Sequence, residues 1–333
     1  MDQRNLIMAI VLSVSILLAF QVFFEAPRLE NERAIREAQK AQEASQPAAP
    51  GGIPPVANAP GIPGTSPRAS ANAPVAGQPA VEPKVAREKV INAFARVKIM
   101  TDRVVGSVRL KGALIDDLTL LNYRQTINKD SPNIVLLSPL GTEEPHYAQF
   151  GWVSQTADMI VPDADTIWTA DRETLSVETP VTLRWTNRQG VEFIQTVSLD
   201  KNFMFSVHQQ VRNGSDRSLT LIPYGLISLT GTPETSGFWI LHEGMTGAFN
   251  GTLIEESYSS LQDEDDGLIA PDGQTNWIGI TAKYFATALV PDQKTENKGR
   301  WVHSAPRGEK EKYQADYLAS ANVLAPGQTG EYR

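Results

Sequence analysis

Residues 6–24 read LIMAIVLSVSILLAFQVFF, a run without charge in which only Ser13, Ser15 and Gln21 are polar. At about 1.5 Å of rise per residue such a helix is roughly 28 Å long, enough for the ~30 Å hydrocarbon core of a bilayer. A cleaved secretion signal is the alternative. Signals have a shorter apolar region and end on small residues, whereas this run closes on the bulky Phe20-Gln21-Val22-Phe23-Phe24. The expectation is a retained transmembrane helix over 6–24, preceded by a short segment at 1–5. Lys and Arg counts alone would turn it the other way: Arg4 precedes it, while Arg28, Arg33, Arg36 and Lys40 follow.

The charge of the remainder limits its partners. Residues 1–83 hold six basic and seven acidic side chains; taken from 30 and 38, these leave 24 and 31 beyond, a net of −7. An acidic body has no electrostatic reason to seek nucleic acid or an anionic lipid surface, so the bilayer partner is expected through 6–24 alone. The chain contains no cysteine, which excludes disulfides and thiolate metal sites.

Three regions follow the apolar run. Residues 25–45 are rich in Ala and Glu, with Glu32 and Arg36 spaced i,i+4, and read as a charged helical extension. Residues 46–84 place ten prolines among Ala, Gly and Ser and read as a disordered, extended linker. From residue 85 to 333 the period becomes two. Val181, Leu183 and Trp185 alternate with Thr182, Arg184 and Thr186, and Asn187–Gly190 turns into a second strand through Val191 and Phe193. Phe203, Phe205, Val207, Gln209 and Val211 share one face of the next strand, and Asn213-Gly214 reads as a hairpin turn before RSLTLIPYGLISL. The apolar stretch 277–290 is too short to span a membrane and holds Lys283, so it reads as strand–turn–strand. The predicted fold is all-β, a large antiparallel β-sandwich.

No catalytic, cofactor-binding or metal-ligating residue is assigned. Phosphate-loop, nucleophile-elbow and His-Glu-x-x-His patterns do not occur. The acidic run Asp263–Gly267 lacks the bidentate carboxylate that a calcium loop needs at its twelfth position, where Gly273 stands, and reads as a solvated loop. Of His146, His208, His242 and His303, only His242-Glu243 resembles acid/base equipment, and neighbours on one strand point to opposite faces. Asn213-Gly214-Ser215 and Asn250-Gly251-Thr252 match the glycosylation acceptor pattern but read as tight turns. The six tryptophans, at 152, 168, 185, 239, 277 and 301, read as core rather than as a sugar-binding cleft.

Four stretches, in order, carry a resemblance. The opening MDQRNLIMAIVLSVSILLAFQVFF, LKGALIDDLTLLNY (110–123), HYAQFGW (146–152) and WIGITAKYFATALVP (277–291) resemble the amino-terminal part of YidC-type bacterial membrane protein insertases. That resemblance implies a cytoplasmic N-terminus, overruling the Lys/Arg count, and an inner-membrane anchor. It implies a periplasmic β-super-sandwich similar to galactose mutarotases. It also implies a role in inserting and folding inner-membrane proteins, alone or with the Sec translocon and its accessory subunits. The departure is the insertase core. No later run is long enough to span a bilayer, and GQTGEYR reads as a strand without a closing turn. The chain is therefore expected to be part of a longer protein, with nascent membrane proteins engaged by the missing core. A membrane-anchored carbohydrate-binding or mutarotase-like enzyme using His242-Glu243 is the alternative, and an envelope scaffold a third.

Overall fold

The computed structural model describes residues 86–233, 242–283, 285–305 and 309–333. The expected segment 1–5, span 6–24, extension 25–45 and linker 46–84 lie outside the described residues, as does Trp239. Among the described residues no helix is long and apolar enough to cross a membrane.

Helix α1 (Arg87–Asn92) leads into β1 (Arg96–Met100), β2 (Val104–Arg109), β3 (Leu114–Arg124), β4 (Asn133–Leu137) and β5 (His146–Ser154). Short β6 (Thr169–Ala170) and β7 (Thr174–Leu175) precede β8 (Val181–Thr186), β9 (Val191–Leu199), β10 (Phe205–Asn213) and β11 (Leu219–Thr230). Then come β12 (Gly244–Phe249), β13 (Thr252–Ser257), helix α2 (Tyr258–Gln262), β14 (Leu268–Ile269), β15 (Thr275–Thr281) and β16 (Ala286–Leu289). The last strands are β17 (Asn297–Ser304), β18 (Lys312–Ala319), β19 (Asn322–Leu324) and β20 (Thr329–Tyr332).

These strands form three sheets. The large one runs β14-β17-β18-β11-β5-β3-β2-β1-β7, with β19 against β11 and β4 against β3. The others run β20-β10-β9-β8-β6 and β13-β12-β15-β16. Pairing is antiparallel except between β1 and β7, which run parallel, a departure from the wholly antiparallel expectation. The alternation that a half-buried strand requires is plain in β8, where Val181 and Leu183 are buried while Arg184 and Thr186 face solvent. The all-β sandwich expectation therefore holds.

Each smaller sheet closes its own core against the large one. The five-stranded sheet contributes Leu183, Phe193, Val197 and Val211, which meet Val97, Val108, Ile115 and Trp152. The four-stranded sheet contributes Met245, Phe249 and Ile278, which meet Trp301, Tyr313 and Tyr317. Ala148 and Phe150 pack against both cores. Between β3 and β5 the large sheet is paired at one position, Ile115 with Ala148. Beyond it, buried Gln195 and Gln209 from the five-stranded sheet donate their amides to the Phe150 and Gly151 carbonyls, both at 2.8 Å.

Three local expectations need correction. Asn213-Gly214 does not close a hairpin: β10 and β11 belong to different sheets, and the turn carries the chain between them. The buried Asn213 amide fixes that crossing by donating to the Arg217 and Leu324 carbonyls at 2.8 and 2.9 Å. Phe203 precedes β10 and has φ of 65°, so it lies outside the strand, although its ring still packs against the core that Val207 and Val211 help fill. His242 and Glu243 lie just before β12, so the opposite-face rule for strands does not govern them. The stretch 277–290 does form the expected strand–turn–strand, with Ile278 paired to Leu289.

Candidate functional site

The four histidines are distributed rather than brought together. His146, at the start of β5, places Nε2 3.1 Å from Thr287 Oγ1 on β16. Burial disfavours its cation and lowers its pKa to about 4. His208 faces outward on β10, 3.4 Å from the Glu331 carboxylate. His242 donates from Nε2 to the Met245 carbonyl at 2.8 Å. His303 meets the Glu311 carboxylate and lies against the Tyr313 ring, centroids 5.4 Å apart. His242 is thus engaged in bracing the entry to β12, and its ring nitrogen is committed to a backbone acceptor.

The other candidates resolve as structure. Asp263, Glu264, Asp265 and Asp266 are exposed, and Asp266 Oδ1 accepts from the Leu268 amide at 3.1 Å. Among the described residues no three His, Cys, Asp or Glu side chains are grouped to hold a metal ion. Asn213 is buried, and Asn250 turns β12 into β13 with Oδ1 accepting from the Gln274 amide at 2.9 Å. Trp152, Trp168 and Trp301 are buried; Trp152 stacks on Trp168 and tilts against Phe193.

Two buried charge networks on the large sheet went unassigned in the sequence. The first sits in the stretch 110–123. Opposite Ser107 and Val108, β3 holds an extra residue, Asp116, in a β-bulge between the partners Asp117 and Ile115. The bulge brings both adjacent carboxylates into one polar network. Arg96 on β1 grips Asp116 with both terminal nitrogens, at 2.6 and 3.0 Å, and reaches Ser107 Oγ at 3.1 Å. Asp117 accepts from Ser107 at 2.6 Å and pairs with Arg87, tying α1 to the sheet. Arg109 stacks 3.6 Å over the Phe94 ring. Burial raises the Asp116 pKa in spite of the arginines. The signal was legible in principle: two adjacent carboxylates inside the apolar run ALIDDLTLL demand cations.

The second network crosses β17, β18, β11 and β5. Asp316 accepts from Arg300 Nε at 3.0 and 3.2 Å and from Gln314 at 2.5 Å. Burial dominates and lifts its pKa to about 6. Cross-strand register places Gln314 opposite Ser228 and Ser228 opposite Tyr147, whose phenol is raised to about 12 by burial. Tyr224 crosses beside it over Gly151, where a Cβ would come within 2.7 Å of its hydroxyl; only glycine fits there. Both networks are enclosed, so their chemistry is bracing and orientation. An open groove of about 560 Å³ lies elsewhere, on the outer face of β9, β10 and β20, lined by Thr196, Ser198, Ser206, His208, Lys294 and Glu331.

Comparison with known proteins gives a family. The model of the YidC periplasmic domain matches residues 96–333. A membrane protein insertase YidC from Beijerinckia indica is 39% identical over 335 residues, covering 99% of this chain and 53% of that protein. Its counterpart from Bradyrhizobium diazoefficiens is 40% identical over 331 residues, covering 98% and 52%. One from Rickettsia akari is 35% identical over 324 residues, covering 97% and 53%. The chain thus spans about half the length of the curated relatives it matches. Among solved structures, a galactose mutarotase related enzyme from Lactobacillus acidophilus overlaps with a TM-score of 0.41 at 10% identity, covering 71% of this chain and 95% of that one. At that score the likeness carries no functional argument. Matched by the domain model over its whole β-rich body, the chain belongs to the YidC periplasmic domain family.

Proposed function

We propose that this chain is the amino-terminal part of an inner-membrane insertase and chaperone. In this reading residues 6–24 hold it in the bilayer with residues 1–5 in the cytoplasm. The extension 25–45 and linker 46–84 suspend the body from 85 onward in the periplasm. The body acts by protein contact rather than by catalysis, with the Sec translocon and its accessory subunits as partners. Nascent membrane proteins are engaged by the part of the relatives that this chain does not span.

The observation that carries the reading is the reach of the relatives' match. It covers 97–99% of the chain, and so extends into the apolar opening as well as the domain at 96–333. The two buried networks support a contact role, since a rigid body keeps its surface loops in fixed relation. In cells depleted of the longer protein, a reporter membrane protein should fail to insert, and the longer protein should restore it. Residues 1–333 alone should not. Restoration by residues 1–333 would overturn the assignment of insertion to the remainder. Alkaline carbonate should leave the chain in the membrane pellet, and external protease should digest the β body in spheroplasts.

A further inference from the structure

One hairpin of the body exposes apolar side chains that no core covers. The hairpin joining β3 to β4 carries Leu121, Tyr123, Ile127 and Val135, all exposed; Ile127 at the tip is fully so, and Tyr123 is 58% exposed. An isolated apolar side chain at a surface needs no explanation, but four within fifteen residues on one projecting loop do.

The loop is also built to hold its shape. Asn133 Nδ2 lies 2.7–3.2 Å from the carbonyls of Leu120, Leu121 and Tyr123, across the bulge where three residues of β3 have no partner in β4. Arg124 donates to the Ser131 carbonyl at 2.7 Å, the Gln125 amide to the Pro132 carbonyl and the Thr126 amide to Ser131 Oγ. The Asp130 amide reaches Asn128 Oδ1. Tyr123 stands edge-on to Phe285, 5.9 Å away, which fixes the stem against the β15–β16 turn. Backbone groups already satisfied within the loop are not stranded when water is removed, so its burial costs little.

We propose that this hairpin is an interfacial membrane contact, with Ile127 entering the headgroup–acyl boundary and Tyr123 seated at headgroup level. The chemistry fits lipid: an aliphatic tip, an amphipathic phenol behind it, and Arg124 and Lys129 against Asp130, a local +1 on a body of net −7. Net charge argues against lipid for the body as a whole, and the hairpin is a local exception. The proposal rests on the reading of residues 6–24 as an anchor, which keeps a bilayer within reach. A Pro-, Ala- and Gly-rich linker of the kind proposed for 46–84 would impose no orientation, leaving the loops to select the end that faces lipid.

The cysteine-free sequence makes the test direct. The 333-residue chain would carry one cysteine, from Ile127→Cys, from Val323→Cys or from Ser15→Cys, each labelled with a polarity-sensitive dye. Val323 is 64% exposed and lies opposite Thr220, at the other end of the large sheet. The chain would be reconstituted in phosphatidylethanolamine–phosphatidylglycerol vesicles with brominated acyl chains as quencher. The label at 127 should shift to the blue and be quenched severalfold more than that at 323. Equal, water-like signals at 127 and 323 with a quenched label at 15 overturn the hairpin contact and leave the anchor standing. An unquenched label at 15 removes the anchor instead, and the signal at 127 then decides the hairpin by itself. A blue shift at 127 that bromine does not touch means contact with protein and also overturns the proposal.

Discussion

The two cores beneath the large sheet solve one packing problem with different chemistry. The core under the five-stranded sheet is built from Trp152, Trp168, Phe193 and aliphatic side chains and, among the described residues, contains no tyrosine. The core under the four-stranded sheet contains Tyr258, Tyr313, Tyr317 and Tyr332. Each of those phenols meets a partner: Tyr258 donates to the Thr281 carbonyl at 2.8 Å, Tyr313 meets Thr232 and Gln262, Tyr317 bonds to Tyr332, and Tyr332 accepts from the Asp292 amide. Burial raises the pKa of all four. The first core is held by shape and, at its edge, by the Gln195 and Gln209 amides on the β5 backbone. The second is held by shape and by a set of directed bonds to loops and turns, which makes it the more specific and the more easily spoiled.

The largest effect should come from emptying either core. Trp152→Ala and Trp301→Ala should each cost about 3–5 kcal/mol in urea unfolding. Since Ala148 and Phe150 touch both cores, a single transition should persist in each variant. Two separated transitions would show that the halves melt independently. Next in size is the charge brace. Arg96→Met leaves the buried Asp116 without its bidentate partner and should cost about 3 kcal/mol, more than Arg184→Met at an exposed pair.

Acid should act on two buried groups of the large sheet with opposite sign. His146 has a folded pKa of about 4, below its unfolded value of about 6.5, so its contribution is lost as pH falls between those values. Asp316 runs the other way. Its folded pKa of about 6 lies above the unfolded value, so it adds stability as pH falls from 6 toward 4 and loses it as pH rises. Asp316→Asn should therefore steepen the acid loss between pH 6 and 4, and His146→Asn should flatten it, each by on the order of 2 kcal/mol. A Tm-versus-pH series on the two variants reads the signs directly.

The smallest effects test the comparison at its root. Phe193→Tyr introduces a hydroxyl into the core that has no acceptor ready and should cost about 2 kcal/mol. Tyr258→Phe strands one carbonyl in the other core and should cost about 1 kcal/mol. Equal costs would mean that the phenols are there for bulk, not for bonding.

Much of this fold was legible because period-two alternation is a surface property of single strands. Val181, Leu183, Val207 and Val211 point where their spacing says. Sheet membership is not local in that sense. Asn213-Gly214 has hairpin chemistry, yet the chain crosses to another sheet there, because a buried asparagine can tie distant segments as readily as near ones. The Asp116-Asp117 pair escaped for a related reason: alternation assigns neighbours to opposite faces, and a bulge suspends that rule. The family stretches fared differently. HYAQFGW and WIGITAKYFATALVP do occupy β5 and the β15–β16 turn, and the need for glycine at 151 is visible only once Tyr224 is placed against it.

The single rung between β3 and β5 has a mechanical consequence. Force applied along one half of the great sheet passes to the other through few backbone bonds, for the ladder there is short. It travels through that rung, through the Ser138–His146 backbone pair that ties the end of β4 to β5, and through two glutamine side chains and the packed rings beside them. Shear across that line would rupture first. A body pulled from both sides would part along that seam, beside Gln195 and Gln209, where two amides serve as dowels.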